Sequence, residues 1–250
     1  MNCMSPSDTL YSRTALLLTD AGLERLKQAR VLVVGLGGVG GYAAEMLCRS
    51  GVGHLTLVDA DTVSPSNINR QVIAMQSTVG QPKAELFKQR LADINPDCKV
   101  VTFQEYLRDE RTEELLNTGR FDYVVDAIDT LSPKVYLLYN CHKMHIPVVS
   151  SMGSAGKLDP MKISISDISK SHTCPLAAMV RKRLRRLGVT SGITVVFSTE
   201  EVPRHAMFEE LSENKRTTIG TVSYLPPLFG CCCASVVIRS LVDIPVSSTP

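Results

Sequence analysis

The segment Gly35-Leu36-Gly37-Gly38-Val39-Gly40 restricts this chain more than any other. It follows an apolar run at 31–34 and opens a helical stretch from about residue 39 to 49, and a second apolar run at 54–58 comes next. Apolar run, glycine turn, helical stretch and apolar run in that order predict a βαβ unit. Glycines let the backbone turn tightly and approach a phosphate, and the helix N-terminus aims free N–H groups and a positive dipole end at the same place. The pattern therefore predicts a nucleotide site on Gly35, Gly37, Gly38 and Gly40. A tight strand–helix turn with no ligand is the plainer alternative.

Further strand candidates at 100–103, 123–125 and 146–149 alternate with helical stretches at 83–94, 110–117 and 133–143. Strands separated by helices of that length predict a doubly wound, Rossmann-like α/β fold with a mainly parallel sheet. After Ser150 the regularity weakens. A loop with Gly153, Gly156 and Pro160 leads to a strand candidate at 162–166, a basic helix at about 175–187, strand candidates at 193–197 and 221–224, and an apolar helix at 229–242. There is no internal repeat, so the second half reads as added strands of the same sheet. A chain of 250 residues with 44% hydrophobic content can close one core. The expected organisation is one adenylating domain over 1–250, with an ATP-binding core at about 10–150 and a substrate-side elaboration at about 151–250.

The 27 basic and 25 acidic residues leave a net charge of +2, which gives no whole-molecule pull toward nucleic acid or an acidic membrane. Neither a leader pattern nor a membrane-length apolar run is seen, so the expected compartment is the cytoplasm, with no membrane partner. The eight cysteines contain no C-x-x-C pair, which argues against a zinc ribbon. Cys48, Cys98 and Cys141 lie in or beside apolar segments and read as small buried hydrophobes. Cys231, Cys232 and Cys233 open the last apolar helix; three adjacent helical positions point in different directions, so core packing is the expectation rather than a metal face.

Asp59 ends the second apolar run, where a carboxylate can accept hydrogen bonds from ribose hydroxyls, and Asp61 is placed at the nucleotide with it. NAD and ATP are served equally to this point. The segments Ser66-Asn67-Ile68-Asn69-Arg70-Gln71 and Gly80-Gln81-Pro82-Lys83 then add two cations. Attack at the α-phosphorus of a triphosphate needs several cations against developing charge, whereas a pyrophosphate bridge needs few. Taken singly, Arg70 and Lys83 are as well read as solvated charges, and Asp129 as a helix cap.

On the ordered set of Gly35 to Gly40, Asp59, Ser66 to Gln71, Lys83 and Asp126-Ala127-Ile128-Asp129, the chain resembles the ubiquitin-activating-enzyme-like (ThiF) adenylating family. That family includes the sulfur-carrier activators of thiamine and molybdopterin synthesis, and the resemblance covers nearly the whole chain. It implies that ATP is bound, that Asn67, Arg70 and Lys83 contact its phosphates, and that Asp129 helps to hold Mg2+. It implies a homodimer in which Arg13 reaches the partner's ATP, and it allows a sulfur-transfer protein as a further partner.

The second half looks like one branch, the tRNA threonylcarbamoyladenosine dehydratases, on the residues Gly153-Ser154-Ala155-Gly156-Lys157-Leu158-Asp159-Pro160, Pro175-Leu176-Ala177 and Val196-Phe197-Ser198-Thr199-Glu200. This resemblance implies adenylation of a threonyl carboxylate on a modified tRNA base, then ring closure by the neighbouring carbamoyl group. The cluster Arg181-Lys182-Arg183-Leu184-Arg185-Arg186 is then the expected tRNA contact, the alternative being a solvated helix face. That branch usually carries Asp where this chain has Cys174. Two rival readings are an activator of a sulfur-carrier or ubiquitin-like protein and a nucleotide-binding adaptor without catalysis. The first would need a thioester on Cys174, read as an exposed loop thiol whose pKa His172 could lower.

Overall fold

A computed structural model describes residues 9–209 and 217–244; Cys3 lies outside them. A seven-stranded sheet forms the centre, built from β1 (Arg30–Val34), β2 (His54–Val58), β3 (Lys99–Phe103), β4 (Tyr123–Asp126), β5 (Val148–Ser151), β6 (Ile163–Asp167) and β7 (Thr194–Ser198), in the order β3-β2-β1-β4-β5-β7-β6. Six strands pair in parallel and β6 pairs antiparallel with β7. The doubly wound expectation holds. The chain winds outward from β1 to β3, then returns to β4 on the other side of β1, so a crevice opens beyond the carboxyl ends of β1 and β4.

Each face of the sheet carries its own core. On one face, Ala43, Ala44 and Leu47 of α2 (Gly40–Ser50), Phe87 and Leu91 of α3 (Lys83–Ile94), and Phe229, Val236 and Val237 of α7 (Leu225–Leu241) pack with Val31, Val33, Leu55 and Leu57. On the other, Leu115 and Leu116 of α4 (Asp109–Gly119), Leu137 and Leu138 of α5 (Leu131–Lys143), and Val180 and Leu184 of α6 (Pro175–Arg186) pack with Leu32, Val34, Val124 and Val195. The alternation within each strand sends neighbouring residues to opposite cores.

Several sequence expectations shift. β5 begins at Val148, two residues later than expected, because the turn that ends α5 occupies the residues before it: Ile146 N–H donates to Cys141 O at 2.9 Å, and His145 takes φ +55°. The candidate strand 221–224 is a turn. The strand in that region is β9 (Thr217–Ile219), which pairs with β8 (Met207–Glu209) in a separate two-stranded sheet, so only β6 and β7 extend the main one. α7 starts at Leu225 rather than 229, with Pro226 and Pro227 in its first turn, where a missing N–H costs nothing. An N-terminal helix not foreseen, α1 (Ser12–Gln28), packs Leu23 and Leu26 inward and is kinked at Thr19, whose φ is +64°.

Candidate nucleotide and substrate site

Val34 ends β1 and Gly35 turns the chain at φ +88°, its N–H held by Val58 O at 2.8 Å. A Cβ at Gly35 would lie 2.7 Å from Ala127 O, and one at Gly40 only 1.8 Å from Gly35 O, so both positions exclude a side chain. By contrast, only the Gln71 amide nitrogen, at 3.7 Å, would come near a Cβ on Gly37. The Gly37 backbone is thus open to a ligand at the start of α2, the end of a helix whose dipole and N–H groups favour an anion.

Asp59 closes one side of this turn. Its Oδ2 accepts from Leu36 N–H at 2.5 Å and its Oδ1 from Asp61 N–H at 2.8 Å. Burial raises the Asp59 pKa above the ordinary carboxylate value; Lys83 and the two N–H groups oppose the rise. Lys83 is buried and donates from Nζ to Asp61 Oδ2 at 2.8 Å, while Tyr106 hydroxyl donates to Asp61 Oδ1 at 3.2 Å. Nothing local in the sequence marks Tyr106, since only the loop after β3 brings it there.

The segment 66–71 lies on the other side. A Cβ on Gly38 would stand 3.2 Å from Arg70 Cγ and 3.0 Å from Pro226 Cβ, so Arg70 packs directly on the turn. Arg70 Nη1 donates to Ser66 O at 3.0 Å and Asn69 Oδ1 at 2.9 Å. Burial lowers its pKa and Asp129 acts in the opposite sense. Asn67 is buried and its Oδ1 accepts from Ser64 N–H at 3.1 Å, so its side chain braces the loop. Gln71 Oε1 is buried without a partner among the described residues. An open glycine backbone at a helix N-terminus and two cations are what a polyphosphate needs, so ATP fits the residues present.

Asp126 and Asp129 of the D-x-x-D pattern separate. Asp126 is fully buried with Lys134, whose Nζ donates to Asp126 Oδ2 at 2.6 Å, and with Ser150, whose Oγ donates to the same oxygen at 2.5 Å. Lys134 is a site residue that the sequence reading missed, although a lysine next to Val135, Leu137 and Leu138 signals a buried charge that needs a partner. Asp129 is exposed on the turn between β4 and α5, and Thr130 takes the N-cap position, so Asp129 is not the cap. Its carboxylate beside Arg70 is of the type that holds Mg2+ with substrate phosphates.

Arg13 is exposed near the start of α1. Tyr11 packs on Gly51, at the far end of α2 from the glycine turn: a Cβ there would lie 3.3 Å from Tyr11 Cε1. The eleven residues of α2 therefore separate Tyr11 from its own glycine turn by about 16 Å.

On the substrate side, Lys157 is buried and donates from Nζ to Glu200 O, while the Glu200 carboxylate accepts from Leu158 N–H at 3.0 Å and Asp159 N–H at 2.9 Å. Burial lowers the Lys157 pKa. The turn 221–224 joins this loop to the phosphate side: Asn69 Nδ2 donates to Thr221 O at 2.9 Å, and Tyr224 hydroxyl to Leu158 O at 2.8 Å.

Two expectations change here. Cys174 is not an exposed loop thiol: it is 3% exposed, with its Sγ 3.6 Å from where a Cβ on Gly153 would sit. His172 packs its ring edge-on against Phe197, with centroids 5.4 Å apart. The basic helix is also not uniform. Arg181 turns back on the loop before α6, donating to Ser171 O at 2.7 Å and Ser171 Oγ at 2.6 Å, and Arg183 donates to Ser132 Oγ at 2.8 Å. Lys182, Arg185 and Arg186 are exposed.

The family model described as the ThiF family matches residues 11–250. The chain belongs to the ThiF family. Within it, the chain is 50% identical over 190 residues to the tRNA threonylcarbamoyladenosine dehydratase of Bacillus subtilis (strain 168), covering 76% of this chain and 74% of that protein. The crystal structure of Escherichia coli tRNA N6-threonylcarbamoyladenosine dehydratase in complex with ATP superposes with a TM-score of 0.86 at 33% identity, covering 96% of this chain and 98% of that one. The chain is 43% identical to the molybdopterin-synthase adenylyltransferase of Salmonella typhimurium (strain LT2) over 129 residues, 52% of this chain and 51% of that one.

Proposed function

We propose that this chain uses ATP to dehydrate threonylcarbamoyladenosine in tRNA to its cyclic form. The observation that carries the choice of branch is the reach of the similarity. It covers 76% of the chain for the Bacillus subtilis dehydratase and 96% for the Escherichia coli dehydratase structure, against 52% for the molybdopterin-synthase adenylyltransferase.

The threonyl carboxylate oxygen attacks the α-phosphorus, the bond to the bridging oxygen breaks, and pyrophosphate leaves. The carbamoyl group then attacks the activated acyl carbon and AMP departs, so the oxygen lost from the substrate ends on AMP. Asp59 accepts from the ribose hydroxyls, the α2 N-terminus faces the phosphates, and Arg70 and Lys83 offset charge as pyrophosphate separates. Asp129 would be the carboxylate that holds Mg2+, and the ion would supply further positive charge against the leaving group. Ring closure uses the substrate's own nucleophile at high effective concentration, so the buried Cys174 has no covalent step to perform.

The homodimer belongs to the same proposal. Leu16 and Leu17 are 72% and 81% exposed beside Arg13, an apolar surface suited to a second copy, and the placement of Arg13 favours a partner's nucleotide over its own. The exposed Lys182, Arg185 and Arg186 are the helix residues available to tRNA phosphates. No helix among the described residues is long and apolar enough to cross a membrane, and the cytoplasm is the compartment this chemistry implies. No described residue argues for a sulfur-transfer partner.

The deciding experiment is nucleoside mass spectrometry of tRNA from cells with and without the gene, repeated with purified protein and ATP. The cyclic nucleoside should vanish in the deletion and return in vitro. Unchanged nucleosides, with adenylation of a Gly-Gly-terminated protein instead, would favour the carrier-activating reading.

A further inference from the structure

Arg30, His54 and Lys99 begin β1, β2 and β3 and are direct partners in the register, Arg30 with His54 and His54 with Lys99. Partners in register share a face, so three basic side chains form one row across strands spaced about 4.8 Å apart. This corner of the face is left uncovered by α4 and α5. Val101, two residues after Lys99, is 50% exposed, and a cleft of about 360 Å³ opens beside the row, floored by Thr56, Val101 and Phe103 and walled by Leu115 and Thr118 at the end of α4.

Arg30 and Lys99 flank His54 in this row, and among the described residues none of the three is in an ion pair. Asp122 is the carboxylate beside the row: it accepts from the Arg30 backbone N–H at 2.7 Å and forms no ion pair with the three side chains. Burial, then Arg30 and Lys99, lower the His54 pKa, and Asp122 acts in the opposite sense. Asp122 offsets only part of the row's charge.

We propose that this row is a docking site for the sugar–phosphate backbone of the tRNA, with a base or ribose resting on Val101 and Phe103. A cationic groove along an apolar and aromatic floor is the combination that holds exposed stretches of RNA. The site sits at the amino ends of the strands, about 17 Å, one strand length, from the nucleotide crevice, and a bound tRNA would run along this flank of the sheet to reach it. The inference rests on the tRNA reading given above.

Fluorescence anisotropy with tRNA, over a series of salt concentrations, tests it on the double variant Arg30→Ala, Lys99→Ala. Both side chains are exposed, so the fold should tolerate the change. At about 0.1 M salt the variant should bind tRNA about tenfold more weakly, with a log–log salt slope shallower by about 1.4, near 0.7 for each single-strand phosphate no longer neutralised. ATP affinity should be unchanged, and the charge-retaining variant Arg30→Lys, Lys99→Arg should bind tRNA like the wild type. Wild-type affinity and slope in the double alanine variant would overturn the site. So would a shift from dimer to monomer in sedimentation with tRNA affinity kept, which would make the row a contact between copies. A wild-type protein that binds no tRNA would sink the functional reading and the site together, and is distinguished by needing no variant to see it.

Discussion

Lys134 Nζ and Asp126 Oδ2 meet at 2.6 Å with neither side chain reached by solvent. Asp126 Oδ1 also takes Ile128 N–H at 3.1 Å, so the pair braces the turn that lays Ala127 O against Gly35 and carries Asp129. Removing one member leaves an uncompensated buried charge, which costs about 3–5 kcal/mol. Lys134→Met should lower stability by that amount in urea unfolding, and the double variant Asp126→Asn, Lys134→Met should recover most of it. An unchanged midpoint in Lys134→Met would refute the brace.

Arg70→Ala should slow adenylate formation by about 10²-fold with a smaller effect on ATP affinity, because cations aimed at developing charge act mainly in the transition state. Lys83→Ala should do the same and also lose stability, since Lys83 is buried against Asp61. Rapid-quench measurement of the first turnover separates the two effects. Weaker ATP binding with an unchanged chemical rate would reassign both residues to ground-state binding.

The Asp59 pKa is raised in the folded protein, chiefly by burial. From about pH 3.9, the unfolded value, up through the raised folded value, the native state holds the proton more tightly, so this group's contribution to stability falls as pH rises. ATP binding runs the other way, because only the carboxylate accepts from both ribose hydroxyls. ATP affinity should therefore weaken on acidification through that window, and Asp59→Asn should bind weakly with a flatter pH profile. An identical profile in the variant would remove Asp59 from the nucleotide.

Cys174→Ala should keep turnover within about threefold and lose about 1–2 kcal/mol of stability, as expected for a small side chain trimmed from a packed site. No thioester should be trapped in the wild type. Complete loss of turnover with a recovered thioester would revive the carrier-activating reading.

Arg181 and its neighbours should divide by role. Arg181→Ala removes bonds to the loop before α6 and should lower stability by about 1–2 kcal/mol while sparing tRNA affinity. Lys182→Ala with Arg185→Ala should weaken tRNA binding and flatten its salt dependence without a stability change. The reverse pattern would return the exposed charges to a solvated face.

The glycine turn, the alternation of strands and helices in the first half and the candidate set of Asp59, Arg70, Lys83 and Asp129 could be read from the sequence because each rests on local chemistry. A 2.0 or 3.6 residue period is written into neighbouring side chains, and a phosphate turn needs glycines at fixed offsets. What lay beyond local reach was decided by tertiary contact. Lys134 meets Asp126 only because α5 crosses β4, Tyr106 reaches Asp61 only through the path of the loop after β3, and Cys174 is buried only because the chain returns past Gly153. The turn 221–224 has strand-like residues, yet its polar groups are taken by Asn69 and Leu158 rather than by a neighbouring strand. Arg181 and Lys182 are adjacent and alike in sequence, but the loop carbonyls before α6 satisfy one and leave the other in water. Whether a polar group is satisfied within the chain or left facing water depends on residues distant in sequence, and that pairing exists only once the fold has formed.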